Sequence, residues 1–351
     1  WMALSKAYAE NEWKGVEQWN QPTSLTLKAG ETQDFSLKFV LAPGIEQIQD
    51  KLIEEGRPVA VGIPGYVLPM DVEAKLFLNY PEAVEDIKIE PEGALEIMEA
   101  ERKPGGFTAY ELHGKKWGRA RAIITYKDGL KQSINYKVIK PESEVVDDFG
   151  DFLMTQQWFD QPDTLFGRTN SVISYDYETK KQLTQDSRAW VAGLSDEGGA
   201  GSWLGAIMKQ LIQPEKEEIK KLQKFIDEAM WGDIQYSEGE LKYGVKKSIF
   251  YTWAAWNKKG ADDPGRSYNY PHVAAAHWVM YRLARYQENL VDNHSWRWYL
   301  ENAYHTAVAM NRLAPHYAQY GQMEGTVFLM ILKDLQREGL NDLASELETE
   351  M

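Results

Sequence analysis

Two stretches in the second half of the chain carry side chains from which chemistry on a sugar can be built. One runs Trp190-Val191-Ala192-Gly193-Leu194-Ser195-Asp196-Glu197-Gly198-Gly199-Ala200-Gly201, and the other Arg266-Ser267-Tyr268-Asn269-Tyr270-Pro271-His272. Each opens onto a segment of helical apolar spacing. Flat aromatic faces cover the C–H surfaces of sugar rings. Carboxylates, amides and guanidinium groups bond hydroxyls and sugar acids. Loops of this make-up suit a carbohydrate cleft better than the plain packing of helices.

Three groupings supply candidate reacting groups. Glu324 heads an apolar stripe: with a helix starting near Met323, positions 324, 328, 331 and 335 share one face. An inward carboxyl there gains pKa from burial and suits a general acid. Gly321 and Gly325 beside it permit close approach of a ligand. The plainer reading is a carboxylate stabilised by a helix N-terminus. Asp196 and Glu197 offer a second carboxylate, as base, nucleophile or hydroxyl ligand, and glycoside hydrolysis needs a pair. Helix capping explains an Asp in such a turn equally well. The third grouping is Arg266, Tyr268, Asn269 and His272. A lyase removes a proton next to a uronate carboxylate with Tyr or His, while Asn or Arg neutralises that carboxylate. Trp190, Trp203, Tyr268 and Tyr270 are the expected sugar platforms. Trp296-Arg297-Trp298-Tyr299 and the helical His277 read instead as core packing.

The elements that must position these groups fall into two regions. Residues 1–140 read as β-strands. Ser24–Ala29 and Asp34–Leu41 alternate around a Gly30-Glu31-Thr32 turn. Ile45–Glu55 is a helical insert ended by Gly56. Strands follow at Val59–Ile63, Val72–Leu78, Ile87–Ile89, Ala94–Met98, Phe107–His113, Arg119–Tyr126 and Gln132–Ile139, the last two joined by a Lys127-Asp128-Gly129 turn. Short strands at this spacing predict a sandwich. Residues 1–44 read alternatively as the end of an upstream β domain. After the polar Pro141-Glu142-Ser143-Glu144 linker, 141–351 turns helical: Glu144–Trp158, Ser202–Ile212, Glu215–Met230, Gly244–Trp256, Pro271–Asn289, Trp296–Leu313, Met323–Glu338 and Asn341–Glu350.

Composition excludes several classes. The net charge of −14 argues against a nucleic-acid or anionic-membrane partner. It also disfavours a strongly anionic polymer unless a local basic cleft overrides it. With no cysteine, disulfides, thiolate metal sites and a thiol nucleophile are out. No metal-ligand spacing such as HExxH occurs, and no cofactor is expected. No apolar run reaches the ~20 residues of a membrane span. The 13 Trp and 19 Tyr, with most Trp after residue 150, are the excess a sugar cleft would show. The chain begins at Trp1 rather than Met, which suggests a trimmed or mature piece.

A β region leading into helical hairpins, with Gly193–Gly201, Tyr268–His272 and Tyr320-Gly321-Gln322-Met323-Glu324-Gly325-Thr326, resembles six-hairpin glycosidase-like secreted proteins. More narrowly, it is similar to a little-characterised bacterial and fungal family within that group. The resemblance covers about residues 145–351, and the β part only in outline. It implies a secreted or extracellular (or periplasmic) protein with an α/α toroid, here only in part, since the helices are fewer than a full toroid holds. Members are usually longer, so the remainder of a longer parent chain is a further expected partner. The expectation is thus a multidomain α+β protein, a β-sandwich followed by a partial toroid. Its expected activity is glycoside hydrolysis by Glu324 with Asp196 or Glu197. The alternatives are a uronate lyase using Tyr268 or His272, and a carbohydrate-binding protein without turnover.

Overall fold

The computed structural model describes residues 10–12, 14, 25–34, 36–102 (backbone only at 99–102), 106–185, 191–251, 257–319 and 325–351. The chain divides into two compact units, Trp1–Val145 and Val146–Met351. It is of mixed α+β class, with β-sheets first and a helical region after them.

In the first unit a 3-10 turn (Ile45–Gln47) and α1 (Ile48–Glu54) precede the strands. Eight strands follow: β1 (Val59–Ile63), β2 (Val67–Pro69), β3 (Glu73–Asn79), β4 (Val84–Glu90), β5 (Leu95–Arg102), β6 (Phe107–Gly114), β7 (Gly118–Tyr126) and β8 (Lys131–Ile139). They form two four-stranded sheets, ordered β1-β3-β6-β5 and β2-β8-β7-β4. All pairings are antiparallel except β2 with β8. Alternation decides which face is buried. Ala74, Leu76 and Leu78 of β3 meet Ile134, Tyr136 and Val138 of β8 in one core between the sheets. The β7–β8 turn is built as expected, with Gly129 at φ +83° and the Asp128 carboxylate accepting from the Leu130 amide at 3.0 Å.

The hairpin expected over 24–41 is corrected. Described residues 25–34 and 36–41 form no strand. Leu37, Phe39 and Leu41 are 87%, 93% and 89% exposed, so the alternating apolar side has no surface to bury against. An isolated two-stranded hairpin is marginal without one. Strand β2 was not anticipated, because a three-residue strand leaves no periodicity to read.

The second unit contains α2 (Glu142–Thr155, which starts before the division), α3 (Glu197–Lys209), α4 (Lys216–Phe225), α5 (Tyr270–Tyr286), α6 (Trp296–Leu313), the one-turn α7 (Pro315–Ala318), α8 (Thr326–Arg337) and α9 (Asn341–Glu350). Their apolar faces share one core that includes Leu153, Trp203, Phe225, Tyr281, Tyr299 and Leu335. Two expectations are corrected. Helix α3 starts at Glu197 rather than Ser202, because Asp196 caps it. No helix covers described residues 244–251 of the expected Gly244–Trp256 helix. Their amides are drawn to distant carbonyls instead: Lys246 to Ile234, Lys247 to Asp263, Ser248 to Ala261 and Ile249 to Gly193, all at 3.0–3.1 Å. Local helical periodicity loses to these long-range bonds. The resulting extended strap lies under both sequence motifs.

Candidate functional site

The site is assembled where α3 and α5 begin. At α3, the Asp196 carboxylate accepts the Gly199 amide at 3.0 Å and the Gly193 amide at 3.1 Å. The Gly199 bond satisfies an orphan donor of the first turn, and the Gly193 bond closes the loop that precedes it. Leu194 is held at φ +67°, and its carbonyl accepts the Trp203 indole N–H at 2.8 Å. The glycines serve close packing. A Cβ at Gly193 would lie 1.7 Å from Ser248 Oγ, and one at Gly199 would lie 2.4 Å from the Leu194 nitrogen. This geometry turns Glu197 outward, with its side chain 36% exposed.

At α5, a 3-10 turn (Ser267–Asn269) precedes the helix, and Pro271 occupies the first turn, where its missing N–H costs nothing. Asn269 is wholly buried, and its amide donates to the Lys246 and Lys247 carbonyls at 3.0 and 3.2 Å. Its carbonyl oxygen accepts from Arg266 Nη1. The strap therefore fixes Asn269, and Asn269 fixes Arg266. Arg266 Nη2 then reaches both Glu197 oxygens, at 2.9 and 3.0 Å. The guanidinium also lies 5.3 Å from the Tyr268 ring centroid, and Tyr268 packs 5.8 Å from the half-open Tyr317 of α7. Burial pushes the Glu197 carboxyl up. The Arg266 bond, backbone bonding and the charges of Arg266 and His272 outweigh it, so the group sits below its ordinary range. Glu197 is thus a carboxylate, a hydrogen-bond acceptor rather than an acid.

The predicted residues separate on these facts. Arg266, Glu197 and Tyr268 come together at a solvent-facing cluster. Asn269 and Asp196 are buried beside them and act on their position. His272 is 2% exposed, its Nδ1 3.4 Å from the Ser195 carbonyl, so it faces the α3 loop rather than solvent. Two platform assignments are corrected. Trp203 is 0% exposed and packs on Phe225 at 5.2 Å, leaving no face for a sugar. Tyr270 is also 0% exposed, its hydroxyl donating to the Pro264 carbonyl at 2.8 Å. Glu324 and Trp190 lie outside the described residues. Sequence reasoning missed Tyr317, which lacks a motif of its own. It also missed Ser195 and Ser267, whose buried hydroxyls have no partner among the described residues. Both serines lie inside the quoted motifs, so their presence was visible and their burial was not. Beside the cluster, Lys258, Lys259, Asp262, Asp263 and Pro264 line an open cleft of about 790 Å³. Among the described residues no group of His, Asp and Glu is placed to hold a metal ion, and no helix is long and apolar enough to cross a membrane.

A family model described as "Family of unknown function (DUF5695)" matches residues 1–351. No curated protein matches the chain. Among solved structures, one named "Polysaccharide Lyase BACCELL_00875" is similar, with a TM-score of 0.62 and 17% sequence identity. The match covers 88% of this chain and 41% of that protein, so the chain spans under half of its length. At this identity the likeness is one of fold.

Proposed function

The chain belongs to DUF5695, a family whose description assigns no activity, and from that premise we propose that its helical unit cleaves an acidic polysaccharide by β-elimination, with Arg266 and Tyr268 at the reacting sugar. The observation that carries this reading is the Arg266–Tyr268 pair, held from behind by Asn269 and the strap. A uronate carboxylate exchanging with Glu197 on the guanidinium would be neutralised there, which loosens the neighbouring C–H proton. The proton leaves that carbon and its electron pair forms the C=C bond. The C–O bond to the next sugar breaks, and the departing oxygen takes a proton. Tyr268 is assigned both transfers: its phenolate oxygen takes the proton from carbon, and the phenol so formed gives it to the departing oxygen. Asn269 and His272 are assigned the holding of Arg266 and of the α3 loop.

Two further points favour elimination over the hydrolysis expected first. Among the described carboxyls of the cluster, Glu197 is held below its ordinary range and Asp196 is bonded to two backbone amides, so neither is suited to protonate a leaving group. The fold also resembles that of a protein named as a polysaccharide lyase. Such a substrate is met outside the cell, and export is part of the proposal.

The test is incubation with uronate-containing and neutral polysaccharides, read by reducing ends and by the ultraviolet absorbance of a C=C conjugated to a carboxylate. Both signals should appear together on an acidic substrate. Tyr268→Phe should lower kcat by about 10²–10⁴-fold, the usual contribution of a proton-transfer group. Arg266→Lys should lower it too, because one ammonium cannot reproduce the forked contact. Reducing ends without absorbance, lost in Glu324→Gln, would replace elimination by hydrolysis.

A further inference from the structure

A second aromatic surface lies along α6, apart from the residues of the elimination site. Trp231, Tyr243, His294, Trp298 and His305 are all half-buried. Their rings run in sequence. His294 lies flat on Trp298, with centroids 3.7 Å apart and planes 11° apart. Trp298 meets Trp231 edge-on at 5.8 Å. Trp231 contacts Tyr243 at 5.6 Å, and Tyr243 stacks on His305 at 4.5 Å. Trp298 and His305 are two helical turns apart on α6, so the strip is roughly 10 Å long. Core packing was the expectation for the Trp296–Tyr299 cluster. Tyr299 is indeed wholly buried, but Trp298 is not.

The rings are fixed in place before any ligand arrives. Asp227 accepts from Asn293 at 3.0 Å and bonds His294 Nε2 at 2.8 Å, and Tyr299 donates to Asn293 at 2.7 Å. Pre-set rings lose little freedom on binding. The rim carries carboxylates in Asp227 and Glu301, the latter bonded to Arg297 at 2.8 Å. Beneath the rings the structure is short of donors. Gln235 Nε2 donates to Thr306 at 2.7 Å, so its carbonyl must accept from His277 Nε2 at 3.1 Å. That leaves His277 Nδ1 a bare acceptor, and Asn302 Oδ1 is another, neither with a partner among the described residues. Both atoms are sealed beneath the rings, so a ligand meets the ring strip and its rim rather than these acceptors. Carboxylates at the rim repel a uronate and accept from hydroxyls.

We propose that the Trp231–Trp298–Tyr243 strip along α6 binds a neutral stretch of glycan, separately from the Arg266 site. It holds a chain without cutting it.

The experiment is calorimetric titration of the full chain with neutral β-1,4-linked glucan, mannan and xylan oligosaccharides, with a polygalacturonate oligomer for contrast. At least one neutral oligosaccharide should bind. Trp298→Ala should weaken it about tenfold, the scale of one stacked aromatic. Asp227→Asn, which releases His294 without touching the core, should weaken it less. Tyr268→Phe should leave it unchanged, while cleavage of acidic polymer is read separately so that either idea can fail alone. If Trp298→Ala does not fold, Trp298→Phe and Asp227→Asn decide the matter. The proposal is overturned if no neutral oligosaccharide binds. It is equally overturned if these variants bind as the parent does, or if Tyr268→Phe abolishes binding. Sedimentation is the last check: a self-association that Trp298→Ala removes, with no glycan binding, would make the strip an interface between copies.

Discussion

At Gly199 an added methyl group would press on the backbone of Leu194, with the nearest atom at 2.4 Å, whereas at Gly201 nothing lies within 4 Å. Two glycines two residues apart in one motif therefore carry opposite consequences. Gly199→Ala should destabilise the helical unit by about 1–3 kcal/mol through overpacking and should disturb Glu197, whose placement depends on the same turn. Gly201→Ala should stabilise it by up to about 1 kcal/mol, because an open helical glycine only loses backbone entropy. Thermal unfolding of both variants checks this, and equal effects would mean that the turn is not the constraint. The residue types in both motifs announced polar chemistry. Their division into reacting, positioning and core roles was hidden, because Trp203 and Tyr268 have similar faces and only burial separates them.

The α5–α6 pair carries a pH dependence of its own. His277 is enclosed on α5. Burial, with the charge of His294, pushes its pKa down to about 3. In the unfolded chain it titrates near its ordinary value of about 6.5. As pH falls through that value, the unfolded chain binds a proton that the folded chain refuses, so stability is lost from about pH 6.5 downward toward 3. Above that window the imidazole is neutral in both states and has no effect. Denaturant unfolding at neutral and mildly acidic pH should show a shallower loss in His277→Gln than in the parent; identical slopes would exclude this histidine as the cause. Helix periodicity located α5 and α6 well, since their caps and apolar spacing are local. It misplaced the 244–251 segment, whose backbone bonds go to residues far along the chain.

On the scale of the whole molecule, two units have cores of their own. Leu76 is fully buried between the sheets, and Lys209 with Glu218 forms a buried ion pair at 2.8 Å between α3 and α4. Leu76→Ala should cost about 2–5 kcal/mol. Glu218→Ala should cost about 3–5 kcal/mol, because it strands a buried ammonium. Calorimetry should show each change lowering a different transition; a single transition moved alike by both would mean that the cores melt as one. The sequence by itself determined the α+β order, most strand and helix positions and the region of the site, because alternation, caps and turns are written in neighbouring residues. Only the tertiary structure decided that Glu197 pairs with Arg266 across 69 positions, that Asn269 holds that arginine from below, and that Trp203 is wholly buried while Trp298 is half-buried. Those outcomes depend on which distant backbone groups and side chains meet, and no local pattern encodes them.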